Sequence, residues 1–411
     1  MRQQYEPSAD RIIALYQQLE DDILSAVIRR ILKMGYVSEA SKHQLEVLQA
    51  AGLLYDDIVQ LIADRTDACT AQVKALFEDA GVQTVAIDNS LHEAAGALPI
   101  DIRQDSSTRQ VLEAGYKKTL GTMRNLVSTT ATQTQTAFIQ TCDWIYMQVS
   151  SGAFSYQEAI MNALRVLADT GATVSYPTGH TDRMDVAVRR CVLTGVSQTA
   201  AAVSLRQAED AGCYLMEITA HSGARPDHAK WQGQLVSLTG KDVGKTIDGL
   251  KVWSLSGIGY GSGEGFKGWN CRHNWHAYYL GLSTPNYTPE ELKKLDEPCI
   301  SYNGKLYTEY EVSQMQRAQE RRVRAWKRRC ITAQEGVNSA TDEATRATAQ
   351  AEFDRSARYL KNNEAKLKDF CRQTGQDRDR FREQVLGFNR STAQKAVHAA
   401  QQDDSPIKET M

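Results

Sequence analysis

The sequence predicts a mainly α protein that carries one small α+β domain. Three observations predict it. Apolar residues recur at three- and four-residue steps through most of the chain, only 8 prolines occur in 411 residues, and glycines mix with strand-forming residues in one stretch after Gly212. Helical periodicity, few helix breakers and one local change of pattern imply a helical N-terminal array, a central α+β domain and a helical C-terminal region.

In the first region, 1–105, Ile12, Tyr16, Leu19, Ile23, Val27, Ile31 and Met34 line one helix face. Gly35 follows, where a C-cap glycine belongs. Further helical stretches fall at 38–52, 55–63 and 66–81, so the glycines are expected to divide this array into short helices. Residues 82–105 have no clear pattern and are expected to connect.

The middle region, 106–212, returns to helix at Ser106. It passes through a Ser/Thr/Gln run at 128–136, which suits a solvated helix face or a partner interface, and reaches an apolar stretch at 138–149. Ser155-Tyr-Gln-Glu158 is a capping box that opens another helix. A turn or short hairpin is expected at 171–179, then helices at 182–199 and 202–210.

The α+β domain is placed at 213–287, with strands at 213–221, 234–238 and 250–255, and is expected to be the only β-containing part. Glycines at 257, 259, 261, 263, 265 and 268 suit a surface where backbones approach closely. Region 288–398 opens with Thr288 as N-cap, Pro289 at N1 and Glu291 at N3. A polar helical stretch covers 312–370. There Ala340, Ala344, Ala347 and Ala351 step by four, three and four, which would let two helices pack closely. Residues 399–411 read as a polar tail.

Charge and composition exclude several classes. With 48 basic and 50 acidic residues the net charge is −2, so no global field draws the chain to nucleic acid or an anionic membrane. There is neither an apolar leader nor an uncharged apolar run long enough to span a bilayer, so no membrane partner is expected and a cytosolic origin is. The 8 cysteines are scattered and read as small buried apolar residues, Cys271 excepted. Thr239-Gly-Lys-Asp-Val-Gly-Lys-Thr246 imitates a phosphate-binding loop but has threonine where its first glycine is required.

Two segments concentrate chemistry: His221-Ser-Gly-Ala-Arg-Pro-Asp-His228-Ala-Lys-Trp-Gln-Gly233 and Gly268-Trp-Asn-Cys271-Arg-His273-Asn-Trp-His276. They hold half of the 8 histidines and three of the 6 tryptophans. Three chemistries are open to them. His221, His228, Cys271 and His273 offer the four N/S donors of a closed structural zinc site, the one cofactor the sequence suggests. Alternatively Cys271 is a nucleophile with a histidine base, or the histidines and Arg225 act on phosphate, as in a metal- or Cys/His-dependent hydrolase or nuclease. The third reading is structural: Arg225, His228, Trp231, Gly233, Trp269, Asn270 and Arg272 pin loops that short strands cannot hold alone. This reading is favoured and no catalytic residue is assigned, because no orienting Asn or Asp accompanies the thiol.

A basic run lies at 311–330, where seven basic residues against Glu311 and Glu320 leave a local charge of +5. Arg321, Arg322, Arg324, Lys327, Arg328 and Arg329 are its candidate contacts to nucleic acid, of a non-specific, phosphate-directed kind. A solvated helix with acidic neighbours is the competing reading.

The two His/Cys segments resemble the core of the phage minor capsid protein 2 family, which is related to the Mu F-like head morphogenesis proteins. Thr181-Asp-Arg-Met-Asp-Val-Ala-Val-Arg-Arg190, Thr194-Gly-Val-Ser-Gln-Thr199 and Glu383-Gln-Val-Leu-Gly-Phe-Asn-Arg390 extend the resemblance over about 180–390. It implies that 213–287 is a Mu F-like domain and that the chain is a structural, non-enzymatic head protein of a tailed phage. Such a protein would sit in the virion near the portal, after assembly in the host cytoplasm, and assist head assembly or DNA ejection. Its implied partners are the portal protein, capsid shell proteins and packaged DNA. Mu F-like relatives often carry Cys-x-x-Cys and His-x-x-Cys-x-Cys at these loops. Here Arg225 and His228 replace the first pair and Cys271 and His273 stand in the last. A complete ligand set would therefore need His221 or His276.

Overall fold

The protein is described by a computed structural model over residues 6–402, apart from 103, 177 and 386. Helix α1 covers Glu6–Met34, α2 Ala40–Ala94, α3 Ser106–Ser150 and α4 Tyr156–Thr170. A hairpin of β1 (Thr173–Ser175) and β2 (Thr181–Arg183) leads into α5, Met184–Asp210. The mixed region follows as β3 (Leu215–Ile218), α6 (Pro226–Ala229), β4 (Leu235–Ser237), β5 (Thr246–Ile247), β6 (Leu250–Ser254) and β7 (Trp275–Ala277). Then come α7 (Pro289–Lys294), the hairpin β8 (Ile300–Tyr302) and β9 (Lys305–Tyr307), α8 (Glu309–Ser339), α9 (Glu343–Thr374) and α10 (Arg390–Gln402). The fold is mainly α with a small α+β part, as the sequence predicts.

Contacts divide the chain into two units, each drawn from separate segments. One takes the chain up to Ile12, Ala68–Met123 and Val188–Gln314; the other takes Ile13–Asp67, Arg124–Ala187 and the chain from Met315.

The first unit contains a five-stranded sheet in the order β5-β6-β4-β3-β7. Its pairs are antiparallel except β4 with β6, which run parallel. All four residues of β3 are buried, because both sheet faces are covered. Met216 and Ile218 turn to one core with Trp231, Val236, Phe266, Cys271, Trp275 and Ala277. Leu215 turns to the opposite core with Leu235, Leu250, Val252 and Tyr278. The alternation along one short strand thus fixes which face receives the His/Cys loops.

The second unit is helical around a buried charge cluster. Arg183 pairs with Glu20, and Arg328 lies 3.9 Å from Glu20 and 3.8 Å from Asp185. Ser155 and Glu158 form the expected capping box at the start of α4.

Several expectations are corrected. α2 runs unbroken through Gly52 and Gly81, and its buried stripe of Val47, Ala51, Leu54, Ile58, Cys69, Val73 and Leu76 shows why. A lone glycine costs a helix about 1 kcal/mol, which such burial outweighs. Helix therefore reaches Ala94, inside the expected connection at 82–105, and the two helices expected at 182–210 are the single α5. The hairpins β1–β2 and β8–β9 place strands outside 213–287. On α9 the residues Ala344, Ala347 and Ala351 are exposed, while Ala349, Phe353, Ala357 and Leu360 are buried. Phe353 and Leu360 bury far more apolar surface than a row of methyls would. Of the expected tail, 399–402 belong to α10 and 403–411 lie outside the described residues.

Candidate metal centre

The first His/Cys segment is shaped by a tight turn and one helical turn. Gly223 takes a left-handed φ of +74° and Arg225 caps α6, whose first residue is Pro226. That single turn leaves Asp227 exposed and buries His228. Gly233, at φ +66°, lies so close to Leu292 that a Cβ there would sit 2.4 Å from its side chain. Trp231 is buried beneath the site, its ring centroid 4.5 Å from that of His228 and 4.9 Å from that of His273.

The second segment leaves the glycine loop through two non-glycine residues in left-handed conformation, Lys267 and Asn270. This turns Cys271 and His273 inward and leaves Trp269 and Asn270 exposed. Trp269 covers Gly263 and has the Arg190 guanidinium 6.0 Å from its ring. Arg272 is partly exposed, and its charge helps keep His221 neutral.

His228, Cys271 and His273 are all buried, and their ligand atoms lie within 4.8 Å of one another. Cys271 Sγ is 3.6 Å from His273 Nδ1, and His273 Nε2 is 3.3 Å from Gln232 Oε1. An amide oxygen only accepts, so His273 donates from Nε2 and presents its lone pair at Nδ1 to the thiol. Gln232 Oε1 also accepts the His221 N–H at 3.1 Å. On the other side, the Glu264 carbonyl accepts from His228 Nε2 at 2.8 Å and from the Arg225 guanidinium.

Burial keeps these groups neutral. It pushes the His273 pKa down to about 2, helped by His221 and His228, and it also lowers His221 and His228. The Cys271 thiol is pushed up by burial against the pull of Lys267. Lys267 is itself buried, donates to Ser197 Oγ at 3.1 Å, and is lowered to about 8 by desolvation.

Neutral imidazoles beside a thiol are the donor chemistry of a structural zinc site. His221 is outside the 4.8 Å group, but its ring centroid is 4.5 Å from that of His273 and its Nε2 is buried without a hydrogen-bond partner among the described residues. That orphaned nitrogen makes it the fourth donor these residues best supply. His276 is excluded: on β7 it points opposite to Trp275 and Ala277, with Nε2 3.3 Å from Glu217 Oε2 and 2.8 Å from Asn286 Nδ2. Of the four candidate donors named from the sequence, the structure brings His228, Cys271 and His273 together, beside Gln232 and Lys267, to which the sequence assigns no role. Gln232 lies inside the first His/Cys segment; Lys267, a basic residue between Phe266 and Gly268 in the glycine-rich loop, was the available signal.

The basic run lies on α8, and much of it is neutralised within its own unit. Only Arg321 and Arg322 of the six candidates are exposed. Arg324 lies 3.8 Å from Asp185, and Arg328 is buried between Glu20 and Asp185. Lys327 donates to the Glu383 carbonyl at 3.0 Å. Arg329 grips Asp169 with two hydrogen bonds of 2.9 and 2.6 Å while stacking over Trp326.

The chain is 23% identical over 333 residues to a structural protein of Lactococcus phage LL-H, covering 78% of this chain and 86% of that one. A structural protein of Lactococcus phage mv4 is 36% identical over 84 residues, 20% of this chain and 59% of the relative. No solved structure matches. Residues 2–372 match the family described as phage minor capsid protein 2, which takes in both His/Cys segments and most of the helical chain around them. The chain belongs to the phage minor capsid protein 2 family.

Proposed function

We propose that the protein is a structural component of the phage head, placed near the portal, where it assists head assembly or DNA ejection without turning over a substrate. The observation that carries this reading is the burial of the His/Cys centre in a member of a minor capsid family. A nucleophilic cysteine needs a stabilised thiolate and an accessible base. Here the thiol is raised by burial and the His273 pKa is depressed to about 2. The centre suits a lock that holds the α+β part rigid for docking. His228, Cys271 and His273, with His221 as fourth donor, would hold zinc in that lock, and the ion would supply fold stability. Portal and shell proteins are the proposed partners, with packaged DNA touched non-specifically through Arg321 and Arg322. Assembly would take place in the host cytoplasm.

Cross-linking of purified heads followed by mass spectrometry tests this. The expected result is a few copies per head, linked mainly to the portal ring. Absence from heads, links only to shell subunits distant from the portal, or hydrolysis of nucleic acid or peptide by the purified protein would overturn it.

A further inference from the structure

Within 41–62, α2 carries an apolar stripe distinct from its buried one. Leu45, Leu48, Gly52, Tyr55, Val59 and Ile62 follow steps of three, four, three, four and three, the a/d spacing of a helix seam. Leu45, Leu48 and Val59 are 58%, 60% and 43% exposed, whereas Val47, Ala51, Leu54 and Ile58 are buried on another face. No charge interrupts the stripe. At its centre, a Cβ on Gly52 would meet nothing within 4 Å. No neighbour among the described residues requires glycine there, although it weakens a helix interior relative to alanine.

We infer that this stripe is an antiparallel helix contact between two copies of the chain, symmetric about a point near residue 50. In an antiparallel pair, a positions face d positions. Setting Leu48 of each copy over Gly52 of the other also sets Leu45 against Tyr55 and Ser41 against Val59, and leaves Ile62 beyond the end of the paired seam. The open space above Gly52 receives a leucine. A parallel pair in register would leave glycine facing glycine, a cavity in the middle of the seam.

Charge fits the same register. Lys42, Gln49 and Asp56 flank the seam on the side away from the buried stripe, and all three are exposed. Residues on that flank face one another in an antiparallel pair. Lys42 of one copy then lies opposite Asp56 of the other at both ends, with Gln49 facing Gln49 across the two-fold axis. The surface is self-complementary, as an isologous interface requires. The seam is short, about 27 Å at 1.5 Å per residue, and so smaller than a stand-alone stable interface. The dimer is therefore concentration-dependent and joins copies that an assembly has already gathered.

The test uses the full chain. Sedimentation across a micromolar concentration series is expected to show a monomer–dimer equilibrium. Carbodiimide coupling is expected to join Lys42 Nζ to the Asp56 carboxyl as an amide, the carbodiimide leaving as its urea. Within one helix these residues are about 21 Å apart, so that link forms only between copies. Leu48→Glu changes an exposed residue and should raise the dissociation constant roughly a hundredfold. Lys42→Asp should weaken the dimer, and adding Asp56→Lys should restore it. A monomer throughout the series without the 42–56 link, a dimer indifferent to Leu48→Glu, or a double variant no tighter than Lys42→Asp overturns the inference.

Discussion

Cys271 and His273 face each other across 3.6 Å, thiol to Nδ1, although only one residue separates them. Such proximity requires the intervening Arg272 to point away, and the left-handed turn at Asn270 just before this pair sets that geometry. The pair is a hydrogen-bonded lock and, in the zinc centre proposed above, would be half of the ligand set.

Metal content distinguishes the two states. The purified protein is expected to hold near one zinc per chain, and Cys271→Ser should lose it. Because the buried thiol must surrender its proton to bind, zinc affinity should fall as the pH is lowered. Elemental mass spectrometry finding no zinc in the wild type, even after refolding with the ion, would reduce the centre to its hydrogen bonds.

Much of this was legible in the sequence for local reasons. Ser155 with Glu158 and Thr288 with Glu291 specify helix starts through their own side chains, and both capping boxes are present. Clustering of histidine, cysteine and tryptophan marked the site because these residues rarely crowd on loops without cause. What the sequence did not convey depends on partners distant in the chain. Gly52 and Gly81 read as breaks because burial on either side of them is a tertiary effect. Ala344 and Ala347 read as a packing face because their spacing is helical, yet Phe353 and Leu360 decide which face is buried. Gln232 looked like any glutamine until His221 and His273 met at its carbonyl oxygen.

The glycine loop makes a steric prediction. A Cβ on Gly265 would sit 2.0 Å from the Gly259 carbonyl oxygen, which is backbone and cannot swing aside. Gly265→Ala should therefore cost on the order of 2–4 kcal/mol, as an overpacked or strained site does. Gly121 lies mid-helix in α3 with nothing within 4 Å of an added Cβ. Gly121→Ala should stabilise by about 0.5–1 kcal/mol. Denaturant unfolding checks both, and equal effects would contradict the close approach at Gly265.

Exposure sorts the basic run. If the protein binds DNA through α8, Arg321→Ala and Arg322→Ala should each lower the salt slope of binding by about 1. Arg328→Met should leave DNA affinity unchanged but destabilise the fold by less than the roughly 3–5 kcal/mol of an uncompensated buried charge, because Glu20 keeps Arg183 and Asp185 keeps Arg324. Binding unchanged between about 50 and 200 mM salt would remove the phosphate contacts altogether.

Asp21 supplies a pH dependence whose sign follows from its surroundings. Its Oδ2 accepts the Gly387 N–H at 2.5 Å, beside Glu20, Asp22 and Arg328. Burial is the main cause that raises its pKa to about 7, with Glu20 adding to the rise and the Gly387 hydrogen bond opposing it. A folded value above the ordinary 3.8 means that the native state holds this proton more tightly than the unfolded chain. The resulting stabilisation is complete below pH 3.8 and is lost as the pH rises through about 7. Asp21→Asn keeps an oxygen for Gly387 but cannot ionise. It should gain on the wild type as the pH rises across that window, by at most about 1.4 kcal/mol per pH unit. Denaturant midpoints of the two proteins measured at acidic and mildly alkaline pH decide it. A constant difference would mean that Asp21 is already ionised in the native state and that the Gly387 hydrogen bond and Arg328 outweigh its burial.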